Sequence, residues 1–481
     1  MLDVLNRYAH GFVSIPVIHA CRERGLFQLL KTEGPLSLSQ LTEKLKANSG
    51  HLQAALRLLE SLDLITSDSA GVYQPGEKSG RHLLIPDDIL DLYRFPMAAY
   101  VKGELAPEIL VPWNERSCMR WGIDDPLLSD FLDGILVIPL LLALKHHQLS
   151  IETRTPATLV PTAVRQELTR LFIALKWATG SGAECTLTDA GQFMLDRALN
   201  LGTTASYGSM LLQMPELLFG NPQEIFQRDA VGDESHVDRF LNVVASGFQH
   251  EKFFTDADEI LLTIFNKLPF EEQPDYVVDM GCGDGSFLKR IYQLIRSHSA
   301  RGKVLDQYPV CMVGADYNQA ALGITAHNLG EIPHLVLAAD IADPDQLVAD
   351  LQKRGVDPGR VLHVRSFLDH DRPFAWPNAL QQAEARRQWD YSVIGVAADG
   401  RLIPPYLAVQ SLVEHLARWS SIITHHGLLL LEVHSLAPSV TRAFMDRSES
   451  LHFDAYHAFS RQHLVDADVF LMSAAEAGLF P

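Results

Sequence analysis

Residues 277–290 read V-V-D-M-G-C-G-D-G-S-F-L-K-R, and they constrain the fold more than any other part of the sequence. Val277 and Val278 end an apolar run typical of a buried parallel strand, and Asp279 closes it. Gly281, Gly283 and Gly285 then let the backbone turn sharply where side chains would obstruct a ligand. Residues 287–295 resume with helical spacing. Strand, glycine loop and helix in this order suit a nucleotide-like ligand at the carboxyl edge of a doubly wound sheet.

The spacing narrows the ligand. These glycines run G-x-G-x-G, whereas the dinucleotide fingerprint is G-x-G-x-x-G, and no P-loop Lys-Ser/Thr follows. An ordinary glycine turn looks the same locally. The downstream order argues against it. Residues 310–316 (V-C-M-V-G-A-D) form a second apolar run that ends in an acid, Asp316. Residues 335–340, followed by Ile341, predict a third strand, and residues 361–368 and 427–433 a fourth and fifth. The stretch with its glycines resembles motif I of class I S-adenosylmethionine-dependent methyltransferases. That resemblance implies a cofactor site at Asp279, Gly281, Gly283 and Gly285, with Asp316 accepting both ribose hydroxyls and Asp340 and Ile341 at the adenine end.

A chain of 481 residues accommodates two or three domains, and an apolar content of 47% argues for globular folding. The net charge of −19 argues against a nucleic-acid partner, because phosphates would be repelled. Cys21, Cys118, Cys185, Cys282 and Cys311 show no C-x-x-C pairing, which fits a reducing, cytoplasmic setting better than a zinc or disulfide framework. The N-terminus lacks a basic region followed by an apolar core. The most apolar run, residues 135–144, is too short to span a bilayer and predicts a buried helix, so no membrane partner is expected.

Residues 1–90 carry helical patterns at 12–30, at 37–45 (opened by Ser37 and Ser39) and at 51–64, and then a hairpin at 66–73 around Ala70-Gly71. Helices followed by such a wing make a winged-helix-like unit. Its third helix has little basic excess, so DNA binding is not expected. An internal repeat supports the assignment: Ile15-Pro16-Val17-Ile18-His19-Ala20 recurs as Ile138-Pro139-Leu140-Leu141-Leu142-Ala143. Arg57-Leu58-Leu59, with Leu62 and Thr66, recurs as Arg170-Leu171-Phe172, with Leu175 and Thr179. A second hairpin is expected at 180–187. The expected division is therefore 1–90, a connector 91–130 containing Trp113 and Trp121, a second winged-helix-like unit 131–220, and a core 221–481. Apolar residues at helical spacing in 207–220 read as packing, with Tyr207 a candidate for the substrate pocket. His250, in 248–254, is a candidate contact of the cofactor or a surface histidine.

A second polar constellation follows the fourth and fifth strands. Residues 366–373 read S-F-L-D-H-D-R-P, Glu432 and His434 end the fifth strand, and residues 451–464 add His452, His457, Gln462 and His463. Three readings of Asp369, His370 and Asp371 stay open: a loop capping the next helix, a histidine general base, or metal ligands. Carboxylate, imidazole and amide donors suit a divalent ion such as iron or manganese. His457 and Gln462 are not aligned on one regular helix, so a turn between them is required.

Taken together, the two winged-helix-like units, M-P-E-L-L-F-G, D-M-G-C-G-D-G, F-L-D-H-D-R-P and Y-H-A-F-S-R-Q-H-L resemble the carbon methyltransferases of polyketide synthase loading modules. The resemblance runs over essentially the whole chain. It implies an α/β, Rossmann-like class I methyltransferase core with a mainly helical N-terminal lid. It also implies S-adenosylmethionine, one iron or manganese ion, and a malonyl group on an acyl carrier protein that is methylated at its α-carbon. The family's metal residues carry over to His457 and Gln462, with an acid from Asp369 or Asp371. His370, His434 and Tyr207 are the candidate catalytic side chains. An acetyltransferase-like domain and the carrier often follow in that family. This sequence ends at Pro481 without them, so it is expected to be an excised domain. The alternative is a metal-free O-methyltransferase with His370 or His434 as base.

Overall fold

The structure is a computed structural model that describes residues 1–153, 157–182, 184–228, 234–389 and 391–480. The chain forms two compact units. The first comprises Met1–Ser246, Val396–Leu402 and Leu436–Arg461, and the second Gly247–Gly395, Ile403–Ser435 and Gln462–Pro481.

The first unit is built on two long helices, α1 (Leu2–Glu23) and α2 (Pro126–His146), which pack along one another. The single helical stretch expected at 12–30 is two helices, because Gly25 at φ 85 breaks it before Leu26–Glu33. Ser37 caps Leu38–Leu45 through a capping box with Gln40. The third helix is Ser49–Ser61. The hairpin pairs Ile65–Ser67 with Val72–Pro75, and Leu36–Ser37 adds a third strand, which completes a winged helix. The second copy repeats this: helix Thr162–Ala174, then a hairpin of Ala178–Ser181 with Glu184–Leu187, whose residue 183 lies outside the described residues. Asp63 and Lys176, at the same place in the two copies, both turn with positive φ, 60 and 64°.

The apolar run at 135–144 is part of the longer α2, which by length and composition alone could cross a membrane. Ile135, Leu136, Val137 and Ile138 are each 0% exposed, and 78% of the helix's most apolar window is buried inside the protein, as a core helix requires. The connector at 91–130 is a series of short helical turns in which Trp121 donates to Asp133 Oδ1 (2.8 Å).

The second unit holds a five-stranded sheet of β1 (Tyr276–Met280), β2 (Cys311–Asp316), β3 (His334–Ala338), β4 (Val361–Ser366) and β5 (Leu428–Leu431). Its order is β3-β2-β1-β4-β5 and every neighbouring pair is parallel. The order reverses direction beside β1, so the loop after β1 opens at the topological switch point. Because side chains alternate along a strand, both faces are apolar. Val277, Met312, Leu362 and Val364 pack with Phe254, Phe265 and Leu288 on one side, and Val278, Val313 and Val361 with Leu347, Leu351 and Trp419 on the other. Each such side chain contributes about 1.5–3 kcal/mol. This is the class I methyltransferase fold, with its parallel sheet, helical N-terminal region and winged-helix units.

Candidate active site

β1 ends in the glycine loop, and α3 (Ser286–His298) starts immediately behind it with Gly285 as its N-cap. A Cβ on Gly281 (φ 82) would come within 2.5 Å of the Leu368 side chain, and one on Gly285 (φ 77) within 2.8 Å of Thr325. Only glycine fits either position. At Gly283 nothing lies within 4 Å of where a Cβ would stand, so the loop's centre is open space. Asp316, at the end of β2, accepts the Gly283 N–H at 3.1 Å and the Asn318 N–H at 2.9 Å. Its carboxylate is thus poised at the loop, although burial raises its pKa.

Asp279 is 1% exposed, and its Oδ1 has no hydrogen-bond partner. Burial, and then the charge of Asp316, push this carboxyl up to about 8. A buried acid with an orphaned oxygen beside an open glycine loop suits a cationic ligand, so these residues fit S-adenosylmethionine. Farther along the sheet edge, Asp340 is exposed and accepts the Ala342 N–H at 2.8 Å. Ile341 is 6% exposed, packs in the core, and its carbonyl accepts the Trp419 indole N–H at 2.9 Å.

Behind β4, Phe367 takes φ 55 and residues 369–371 form one 3-10 turn. No helix follows directly, so the helix-cap reading of Asp369, His370 and Asp371 is set aside: the next helix, Leu380–Ala385, has Ala379 at its N-cap. Asp369 is 1% exposed and both of its oxygens are committed. Arg365 Nε donates to Oδ2 at 2.7 Å, and His415 Nε2 donates to Oδ1 at 3.0 Å. Burial alone would raise the Asp369 pKa, but the Arg365 charge and the His415 hydrogen bond outweigh it and hold it at about 2. Asp369 therefore does not fit the expected metal-ligand role, because its lone pairs already face a buried guanidinium and an imidazole. Asp371, by contrast, is exposed.

His370 is 8% exposed and its Nδ1–H donates to Glu432 Oε1 at 2.8 Å, while the His370 backbone N–H donates to Oε2 at 3.2 Å. Burial opposes protonation, but the charge and hydrogen bond of Glu432 prevail and raise the His370 pKa. The pairing makes Nδ1 the donor, so in the neutral ring Nε2 carries the basic lone pair. His434 is half-buried, its ring stands 5.4 Å from that of Phe470, and its Nδ1 is buried without a partner. Of the two candidate bases, His370 is the one held by a carboxylate.

The His250 ring lies 4.0 Å from that of Phe367, tilted by 33°, and the residue is half-buried rather than a surface residue. In the N-terminal unit, Tyr207 is 3% exposed and stacked on Tyr456 at 4.8 Å.

His457, in the same unit, donates its Nδ1–H to Phe453 O at 2.7 Å. That bond leaves the lone pair on Nε2, the arrangement usual for a metal-ligating histidine. In the second unit, Gln462 Oε1 is buried with no hydrogen-bond partner, an oxygen suited to a hard or borderline ion. The helix Ser450–Phe459 stops before Arg461, which takes φ 64, so the turn required between His457 and Gln462 is present. Among the described residues, three His, Cys, Asp or Glu donors converge only at His19, Glu23 and Asp87. There Arg22 already pairs with Glu23 (3.3 Å) and Asp87 (2.6 Å).

Sequence reading named Glu432 as polar but gave it no role, and it missed Arg365, His415 and Arg372. The available signal was the run V-L-H-V-R-S, in which His363 and Arg365 interrupt a strand buried on both faces.

The sequence matches three family profiles: the AprA N-terminal domain over residues 1–67, the AprA winged helix domain over 133–221, and the AprA MT2-like domain over 234–481. No curated protein matches it. Similar solved structures include an O-methyltransferase family 2 protein from Planctomyces limnophilus in complex with apigenin, at 13% identity, 99% of this chain, 90% of that chain and a TM-score of 0.43. The citrinin polyketide synthase CMeT domain is similar at 14% identity, 82% of this chain, 92% of that chain and a TM-score of 0.34. Human N-acetylserotonin methyltransferase in complex with S-adenosylmethionine follows at 14% identity, 98% of this chain, 90% of that chain and a TM-score of 0.25.

Proposed function

The chain belongs to the AprA MT2-like methyltransferase family, and we propose that it methylates the α-carbon of a malonyl group carried on an acyl carrier protein, with S-adenosylmethionine as donor. The observation that carries the chemistry is the buried His370–Glu432 pair beyond the ends of β4 and β5. Methylation at carbon or oxygen requires removal of a proton from the acceptor, and this pair supplies an oriented base.

The glycine loop and Asp316 hold the donor, whose sulfonium presents an electrophilic methyl group when bound. Asp279 supplies a buried carboxyl whose Oδ1 has no hydrogen-bond partner, and the donor's positive charge would favour its ionised form. His370 Nε2 receives the α-proton, and Glu432 stabilises the imidazolium through Nδ1–H. His457 and Gln462, with Asp371 as the remaining acid of its pair, would hold an iron or manganese ion. Such an ion would supply Lewis acidity to the malonyl group. The setting is proposed to be the cytoplasm, with carrier and further domains as neighbours in the native assembly.

Intact-protein mass spectrometry of loaded carriers tests this. Malonyl-carrier should gain a methyl group, and acetyl-carrier should react slower by on the order of 10³-fold, because it lacks the second chelating oxygen. Equal methylation of both carriers would overturn the chelation reading. The second reading, a metal-free O-methyltransferase, is favoured by the same His370–Glu432 pair, which needs no metal to act on a hydroxyl. Activity on a small hydroxylated acceptor that survives a chelator would put that reading first.

A further inference from the structure

The turn that presents His370 is fixed from several directions, and most of the bonds run through its neighbour, Asp369. Arg365 (0% exposed) and His415 hold the two Asp369 carboxylate oxygens at 2.7 and 3.0 Å. Arg372 Nη1 donates to the Asp369 carbonyl at 2.7 Å, and the His463 N–H donates to the His370 carbonyl at 2.7 Å. Arg365 Cζ itself lies over the buried Trp419 ring, 4.3 Å from its centroid, so the anchor rests on the core rather than on a loop. Phe367 at φ 55 precedes the turn, a conformation that a non-glycine residue holds only when its surroundings fix it.

We propose that Asp369, tied between Arg365 and His415, is a positioning residue for His370: it anchors the turn so that the imidazole is offered to the acceptor in one orientation. This rests on His370 being the base. The buried Arg365–Asp369–His415 group is thus a support for catalysis that makes no contact with the reacting atoms. Its loss is felt in the rate, since displacing a base by about 1 Å costs on the order of 10²-fold.

The test compares wild type with Asp369→Asn, His415→Leu, His415→Gln and His370→Ala, using malonyl-loaded carrier and S-adenosylmethionine. Asp369→Asn and His415→Leu should each lower kcat by on the order of 10–10²-fold, with KM for the carrier and affinity for the donor within about twofold. Gln places an N–H donor near the position of His415 Nε2, so His415→Gln should restore kcat to within about threefold of wild type. The two His415 variants decide the matter if Asp369→Asn does not fold. If His370→Ala is inactive while Asp369→Asn and His415→Leu keep wild-type kcat, the positioning role is wrong and the base reading stands. A change confined to KM or donor affinity, or equal losses in both His415 variants, also overturns the positioning role. If His370→Ala keeps full activity, both ideas fall.

Discussion

Gly11 of α1 lies directly on the backbone of Phe131 of α2, so close that a Cβ would stand 2.2 Å from Phe131 Cα. The reciprocal contact is made by Gly134, whose Cβ would stand 2.3 Å from Tyr8 O. The register that aligns Pro16 with Pro139 in the internal repeat also aligns Gly11 with Gly134 and Tyr8 with Phe131. The two copies of the repeat therefore pack on each other through the same pair of positions, like an isologous interface within one chain.

Gly11→Ala should consequently destabilise the protein by about 3 kcal/mol, because the obstructing atoms are backbone and cannot turn aside. Gly247→Ala is the matching control. It lies in a helix with nothing within 4 Å of the new Cβ, and should stabilise by about 0.4–1 kcal/mol. Urea unfolding of both variants reads the difference, and equal stabilities would refute the tight crossing.

Acid should remove the stabilisation that the buried His10 contributes to the N-terminal unit. His10 Nε2–H donates to Met445 O at 2.8 Å, and His10 Nδ1 meets His452 Nδ1 at 2.9 Å, so protonating His10 would bring two N–H groups together. Burial lowers the His10 pKa from 6.5 to about 4. The folded state thus binds the proton less well than the unfolded chain. The stabilisation is complete above pH 6.5 and is lost progressively as pH falls toward 4, about 3 kcal/mol for this one histidine. The stability difference between wild type and His10→Gln, measured at pH 7.5 and pH 5, isolates this loss, because Asp133 and Asp454, pushed up to about 7 by burial, titrate with the opposite sign in both proteins. A difference between the two proteins that is the same at pH 5 as at 7.5 would contradict the assignment.

Asp316→Ala should cost about 2–3 kcal/mol in affinity for S-adenosylmethionine, through loss of charge-assisted hydrogen bonds. Calorimetry on both proteins measures it, and unchanged affinity would remove Asp316 from the site.

His457→Ala and Gln462→Ala should each lower bound iron or manganese and methylation of malonyl-carrier, with donor binding nearly intact. Elemental analysis of the purified variants is the readout. Should both keep full metal and full rate, the donors lie elsewhere.

The local features were determined by the sequence itself. Two apolar runs ending in Asp279 and Asp316, with G-x-G-x-G between them, placed β1, β2 and the cofactor loop, because strand burial, glycine freedom and carboxylate chemistry act over a few residues. The repeat Arg57-Leu58-Leu59 and Arg170-Leu171-Phe172 likewise marked both winged helices. The tertiary structure decided which polar side chains find each other. Asp369, Asp371 and His370 were adjacent and interchangeable as a string, and only the packing of Pro405–Ser420 against β4 brought His415 to Asp369. Only the parallel pairing of β5 with β4 brought Glu432 to His370. A buried carboxylate takes its role from the partner that compensates its lost hydration. That partner comes from a distant part of the chain, so the base and the anchor were separable only once the fold had closed.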